Sequence, residues 1–131
     1  MSKMKYNIIQ ITNEHALNKV IGQHKRDKQR LDVLFMSEWC AKSAYLWSTL
    51  LDQDVPEGEG HPLYVVDSWN TPHAFQIWRV TSAPTLVRID PVSRNGRGPN
   101  VRKHVSVTDI LHVLRLEDQR PKRPARKKKS N

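Results

Sequence analysis

The chain has a single cysteine, Cys40, among its 131 residues, so it cannot form an internal disulfide. Small secreted domains usually depend on several disulfides, and we therefore expect a reducing, cytoplasmic compartment. No apolar stretch approaches the roughly 20 residues that a membrane-spanning helix needs, so no membrane association is predicted. Residues 1–7 include two lysines but are not followed by an apolar segment, and a secretory signal is not expected.

Metal and cofactor motifs are also lacking. The six histidines show no metal-ligand spacing, and a single cysteine makes a zinc site improbable. The glycines around Asn95 do not precede a helix, so they do not form a phosphate-binding fingerprint. No Ser-His-acid set is recognisable either. We therefore predict neither a metal site nor a bound cofactor.

What the sequence does have is positive charge, with a net value of +9. Residues 118–131 carry seven of the 22 Lys and Arg residues and one of the 13 acids. We expect this segment to be a flexible tail after a domain of residues 1–117. The tail has no aromatic residue for stacking on bases, so contact with nucleic acid would rest on phosphate neutralisation. An acidic protein partner, or a role in solubility alone, would fit it equally well.

A turn-rich hairpin near residues 90–100 adds further basic side chains. Taken alone, the hairpin is interpreted as an exposed charged loop, and the sequence does not place it on the same face as the tail. If they share a face, they form a basic surface for nucleic acid or a protein partner, made of Arg94, Arg97, Arg102, Lys103, Arg120, Lys122, Arg123, Arg126, Lys127, Lys128 and Lys129.

Hydrophobic periodicity predicts an α/β fold with the element order β-α-β-α-β-α-β-β-α. Gly22 is expected to end the first helix, and Lys25 to Arg30 is expected to be an exposed turn. The alternation of strands and helices predicts parallel strands, to which the closing hairpin adds an antiparallel pair. The predicted strands are residues 6–11, 32–36, 63–67, 84–89 and 101–105, and the predicted helices begin near residues 13, 40, 72 and 108.

Two short segments carry the chemistry. An apolar strand ends at Met36 and is followed by Trp39-Cys40, with Ser43 three residues beyond the cysteine in the first turn of a helix. The second segment is Ser82-Ala83-Pro84, and Pro84 lies 44 residues after Cys40. The first segment resembles the Trp-Cys-Gly-Pro-Cys active site of thioredoxins. The second resembles the loop in which thioredoxins hold a cis-proline against the reactive sulfur.

This resemblance covers about residues 5–117 and implies a thioredoxin-like mixed sheet flanked by helices. It also implies a cis peptide bond before Pro84. An extended peptide would then pair with the backbone of Ser82 and Ala83 like an added strand. The expected groove beside the sulfur is formed by Trp39, Ala41, Lys42, Ser82, Ala83 and Pro84.

Cys40 is the candidate nucleophile, because a helix N-terminus and the nearby Lys42 favour the thiolate. Ser43 replaces the second cysteine of the family motif and cannot resolve a mixed disulfide, although its hydroxyl is positioned to hydrogen-bond the thiolate. An outside thiol such as glutathione would have to release the product. The resemblance also places a buried acid at the position of Leu34, whereas the nearest acid here is Asp32.

Two functions follow from this pattern. The first is a monothiol protein that forms mixed disulfides with a client protein through Cys40. The second is a non-catalytic adaptor in which Cys40 is inert and the basic surface docks on nucleic acid or a nucleoprotein complex. Trp47 and Trp78 are predicted to face the core, while Trp69 is left open between an exposed partner contact and partial burial.

Overall fold

A computed structural model of the chain describes residues 5–37, 39–53, 60–90 and 100–116. It has the predicted element order. The strands are β1 (Tyr6–Gln10), β2 (Leu31–Met36), β3 (His61–Asp67), β4 (Thr85–Asp90) and β5 (Asn100–His104), and the helices are α1 (Glu14–Asp27), α2 (Ala41–Leu51), α3 (Pro72–Ile77) and α4 (Val107–Val113). The predicted domain boundary at residue 117 and the tail lie outside the described residues.

The strands form one five-stranded sheet in the order β1-β3-β2-β4-β5. β3 pairs in parallel with both β1 and β2. β4 runs antiparallel to β2 and to β5, so the antiparallel part of the sheet begins one strand before the closing hairpin. As a result, the carboxyl ends of β1, β3 and β2 lie at the same edge of the sheet.

β2 is the centre of the core, because all six of its residues are buried. Leu34 and Met36 face a cluster built with α2 and α4, whereas Val33 and Phe35 face a second cluster that includes Leu17. Full burial of one such side chain stabilises the fold by about 1.5–3 kcal/mol. The strand that leads to Cys40 is therefore fixed from both faces. Two tryptophans are half-buried against these clusters, as predicted: Trp47 and Trp78.

Capping side chains determine where several helices begin. The Asn13 side chain accepts a hydrogen bond from the N–H of Ala16 at 2.8 Å, and Pro72 occupies the first turn of α3. The Glu14 carboxylate accepts a hydrogen bond from the N–H of Ala74, which ties the start of α1 to the start of α3.

The prediction that Gly22 ends the first helix is wrong, because α1 continues to Asp27. Glycine costs only about 1 kcal/mol inside a helix, and the last turn gains a compensating contact. The His24 ring packs edge-on against Tyr64 of β3, with their centroids 5.6 Å apart. The helix ends instead at Lys28, whose φ of 54° is left-handed. Of the predicted turn at Lys25 to Arg30, only the part after Asp27 is outside the helix.

Candidate functional site

Cys40 lies where β2 passes into α2. It is the N-cap of α2, with an extended backbone (φ −110°, ψ 122°), and its carbonyl accepts the hydrogen bond of the Ala44 N–H at 3.0 Å. Its own N–H donates to the Ser37 carbonyl at 3.1 Å, which closes the turn between strand and helix. The cysteine is half-buried. The sequence-predicted position at the start of a helix is therefore the one observed.

The surroundings of the sulfur hold the pKa of Cys40 below its ordinary value. The Ser43 backbone N–H is the main cause, and the Lys42 N–H, the Ser43 hydroxyl and the Lys42 charge act in the same direction. Partial burial opposes them by raising the pKa. Free N–H groups in the first turn of a helix stabilise an anion because they have no intrahelical acceptor. The site therefore favours the thiolate, the form that acts as a nucleophile.

The loop before β4 lies against the sulfur. The Ala83–Pro84 peptide bond is cis, and the Cys40 thiol donates a hydrogen bond to the Ala83 carbonyl oxygen at 3.2 Å. This contact exists only for the protonated thiol, so it acts against the N–H groups of α2. The Ser82 carbonyl accepts the Thr85 hydroxyl at 2.8 Å and is already engaged within the loop.

The residues predicted to form a groove differ in their exposure. Trp39 is 87% exposed, which leaves nearly the whole indole available to a partner. Ala41, Lys42 and Ser82 are also exposed, while Ala83 is half-buried and Pro84 is buried. The backbone near Ala83 therefore lies at the base of a surface whose most prominent side chain is Trp39.

Ser43 is buried and connects the turn to the thiol. Its Oγ accepts a hydrogen bond from the Ser37 N–H at 3.2 Å, and its hydroxyl contributes to the lowered pKa of Cys40. Its side chain is only 3% exposed, so an outside reagent reaches Cys40 without contacting Ser43.

Asp32, the acid nearest in sequence to position 34, forms an ion pair away from Cys40 in the structure. Leu34 is fully buried in the core. Asp32 lies on the same face of β2, two residues further along the strand from the cysteine. The Asp32 carboxylate accepts hydrogen bonds from Arg88 at 2.8 and 3.4 Å, and Arg30 lies 3.6 Å away. Asp32 is therefore neutralised by an ion pair at the far end of the strand.

Arg88 and Tyr6 are the partners that the sequence analysis missed. Burial is the main cause that raises the pKa of Tyr6, followed by the Asp32 charge, and Arg88 opposes them by lowering it. Burial opposes the charged form of Arg88, but the hydrogen bond and charge of Asp32 outweigh it and raise the Arg88 pKa. This contact arises because Asp32 and Arg88 are directly paired residues of the antiparallel strands β2 and β4. The sequence alone does not show that these two strands are neighbours.

Trp69 is 76% exposed, which excludes the partial burial that the sequence left open. It lies in the turn after β3, where the Asp67 carboxylate accepts hydrogen bonds from the N–H groups of Trp69 at 2.9 Å and Asn70 at 2.8 Å. The two exposed tryptophans thus follow adjacent strands, β2 and β3.

Two residues of the predicted basic surface are described. Arg102 pairs with Asp90 at 3.0 Å, and the Lys103 ammonium donates to the Arg79 carbonyl at 3.5 Å, both on the exposed strand β5. Arg94, Arg97 and the tail residues lie outside the described part. Within the described ranges, no three His, Cys, Asp or Glu side chains come together to hold a metal ion. None of the helices in those ranges is long and apolar enough to cross a membrane.

A mixed sheet with a cysteine at the start of α2 and a cis-proline loop against its sulfur defines a thioredoxin-like fold. No family model matches the chain, and no curated protein matches it by sequence. Among solved structures it is similar to Schistosoma mansoni thioredoxin, with a TM-score of 0.60 and 18% identity over 82% of this chain and 93% of that one.

Two further thioredoxins show the same likeness. That of Trichomonas vaginalis has a TM-score of 0.59 and 18% identity, with 82% of this chain and 94% of that one covered. That of Fasciola hepatica has a TM-score of 0.57 and 20% identity, with 81% and 95% covered. At these identities the likeness is one of fold.

Proposed function

We propose that the protein carries out monothiol thiol-disulfide exchange through Cys40. The observation that carries this proposal is the position of Cys40 at the N-cap of α2, with its sulfur 3.2 Å from the Ala83 carbonyl, and the backbone N–H groups of Ser43 and Lys42 hold its pKa below the ordinary value. The N–H groups stabilise the thiolate, and ionisation of Cys40 removes the thiol donor from the Ala83 carbonyl, which then becomes available to an extended peptide. The fold likeness to thioredoxins supports the same chemistry.

The reaction has two steps. The Cys40 thiolate attacks one sulfur of a client disulfide, forms a Cys40–client mixed disulfide and releases the other client sulfur as a thiolate. Because Ser43 has a hydroxyl in place of a second sulfur, an external thiolate completes the cycle. Glutathione is such a thiol. Its thiolate attacks the client sulfur of the Cys40–client disulfide, forms a glutathione–client disulfide and releases Cys40 as a thiolate.

The pH dependence of Cys40 alkylation by iodoacetamide in the native protein tests the proposal. We expect a midpoint below the value of about 8.5 for a free cysteine. Ser43→Ala should raise that midpoint, because the hydroxyl contributes to the lowered pKa, but should not restore the ordinary value, because the Ser43 backbone N–H, the main cause, remains. Ser48→Ala, an exposed change on the same helix, is the matched control and should leave the midpoint unchanged.

Oxidised glutathione provides the chemical test. We expect it to add one glutathionyl group to the native protein and none to Cys40→Ser, and excess reduced glutathione should remove the group. A midpoint at or above the ordinary value together with no adduct would contradict the proposal.

One structural observation supports the adaptor function proposed from the sequence. Arg102 and Lys103 lie on an edge strand whose residues are exposed, so they are accessible to a large partner. For this function we expect salt-dependent binding to DNA that survives Cys40→Ser and is lost on removal of residues 118–131. Binding that is absent at low salt would overturn it.

A further inference from the structure

A cavity of about 400 Å³ lies beside the start of α2, and neither Cys40 nor the cis-proline loop is among the described residues that line it. Its volume falls within the range of about 300–1,000 Å³ that is usual for small-molecule sites. The described residues that form its apolar wall are Ile11, Met36, Trp47 and Val65. Its polar groups include Ser43, Asp67 and Asn70.

The topology places this cavity where α/β folds commonly bind ligands. It opens at the carboxyl ends of β1, β3 and β2, which are parallel neighbours. α2 follows β2 and packs on one face of the sheet, while α3 follows β3 and packs on the other. Connections that leave adjacent strands toward opposite faces create a crevice between the strand ends, which is a preferred position for a ligand.

The charge of the cavity indicates what it would hold. Asp67 is the only ionisable residue among the described residues that line it. Its Oδ1 accepts two backbone N–H groups and its Oδ2 accepts one N–H of the Asn70 amide at 2.8 Å, so an acceptor site on Oδ2 remains. Within the described residues, no Lys, Arg or His lies within ion-pair distance of this carboxylate.

The N-terminus of α2 acts against a cation, because its dipole is positive there. However, the N–H groups of Lys42 and Ser43 at that end act on the Cys40 sulfur, whose pKa they lower, whereas Asp67 is one of the residues that line the cavity. We propose that the cavity binds an ammonium group on an apolar stem, with the charge at Asp67 and the stem between Met36 and Trp47. Such a group is carried either by a small primary amine or by a lysine side chain.

Titration of the full chain with 2-phenylethylamine, followed by the NMR methyl signals of Ile11, Met36 and Val65, tests this site. We expect those signals to shift, with an affinity about tenfold higher than for the neutral 2-phenylethanol. Asp67→Asn should abolish this preference for the amine, and Asp52→Asn, an exposed acid at the end of α2, should preserve it.

Two more arms complete the experiment. Ala44→Phe places a ring at the cavity wall and leaves the sequence of the Asp67 turn unchanged, and it should abolish binding of the amine even if Asp67→Asn fails to fold. Nα-acetyl-lysinamide distinguishes the source, because tighter binding than that of 2-phenylethylamine assigns the site to a lysine side chain and weaker binding assigns it to a small amine. No methyl shift at millimolar amine, or equal affinity for the alcohol, would overturn the proposal.

Discussion

The two ends of β2 handle negative charge in different ways. At its start, the Asp32 carboxylate is buried and held between Arg88 and Arg30. Past its end, the Cys40 thiolate would be stabilised mainly by backbone N–H groups at a half-buried position. Arginine bonds occupy the carboxylate oxygens, whereas N–H dipoles stabilise the sulfur and leave it open to attack a partner. The Asp32 carboxylate therefore contributes to stability, whereas the Cys40 thiolate is accessible to a reaction partner.

The largest expected effect is at the Asp32 end. Arg88→Met leaves Asp32 buried with only the more distant Arg30, and we expect the free energy of unfolding to fall by about 3 kcal/mol. Arg102→Met breaks an exposed pair on the next strand and should cost less than about 1 kcal/mol. Urea denaturation measures both. If the two variants lose the same stability, the Asp32 pair is not a buried structural contact.

A double variant sharpens the same comparison. Asp32→Leu combined with Arg88→Met removes both charges together, so it should recover most of the stability lost by Arg88→Met alone. A double variant that is less stable than Arg88→Met would contradict this account.

The next effect concerns the Cys40 end. Ser43→Cys places a second sulfur three residues after Cys40 in the first turn of α2, and we expect mild oxidation to form an intramolecular disulfide. Ser48→Cys is the matched control, because it lies eight residues along the chain, about 12 Å at the helical rise. Mass spectrometry and loss of alkylation detect the bond. Protection from alkylation in both variants, or in neither, would show that Ser43 does not adjoin the sulfur as described.

The smallest effect is on the pH dependence of stability. Since the fold lowers the pKa of Cys40, ionisation of the sulfur stabilises the folded state. This contribution is fully present above the unfolded value of about 8.5 and is lost as the pH falls through the lower, folded value. The stability of the native protein relative to Cys40→Ala should therefore rise as the pH increases from the folded pKa toward the unfolded value of about 8.5, and then level off. Urea denaturation under reducing conditions measures it, and a flat or falling difference would contradict the lowered pKa.

The sequence was sufficient for features that depend on neighbouring residues. The apolar run of β2, the helix start after Cys40 and the proline at the start of α3 are all local signals, and the structure has each of them. The element order and the fold class followed from the same signals and from the resemblance.

Features that depend on distant contacts were not predictable in this way. Gly22 is a reasonable helix stop from local sequence alone. The contact of His24 with Tyr64, which is 40 residues away, supports the last turn of α1 beyond it. The local sequence indicates only that Arg88 is a strand residue. Its ion pair with Asp32 depends on the pairing of β2 with β4, which places the two residues opposite each other. The cavity beside Ser43 needs three strand ends and one helix to be assembled before it exists.

The burial of β2 on both faces also has a consequence for the kinetics of reaction at Cys40. Backbone amides in such a strand exchange with solvent only when the whole domain opens. The thiol at the end of that strand is already partly accessible in the closed state. Modification of Cys40 should therefore follow the fraction of thiolate and not the rate of global opening, so that the reactive group and the slowest-exchanging part of the protein are only a few residues apart.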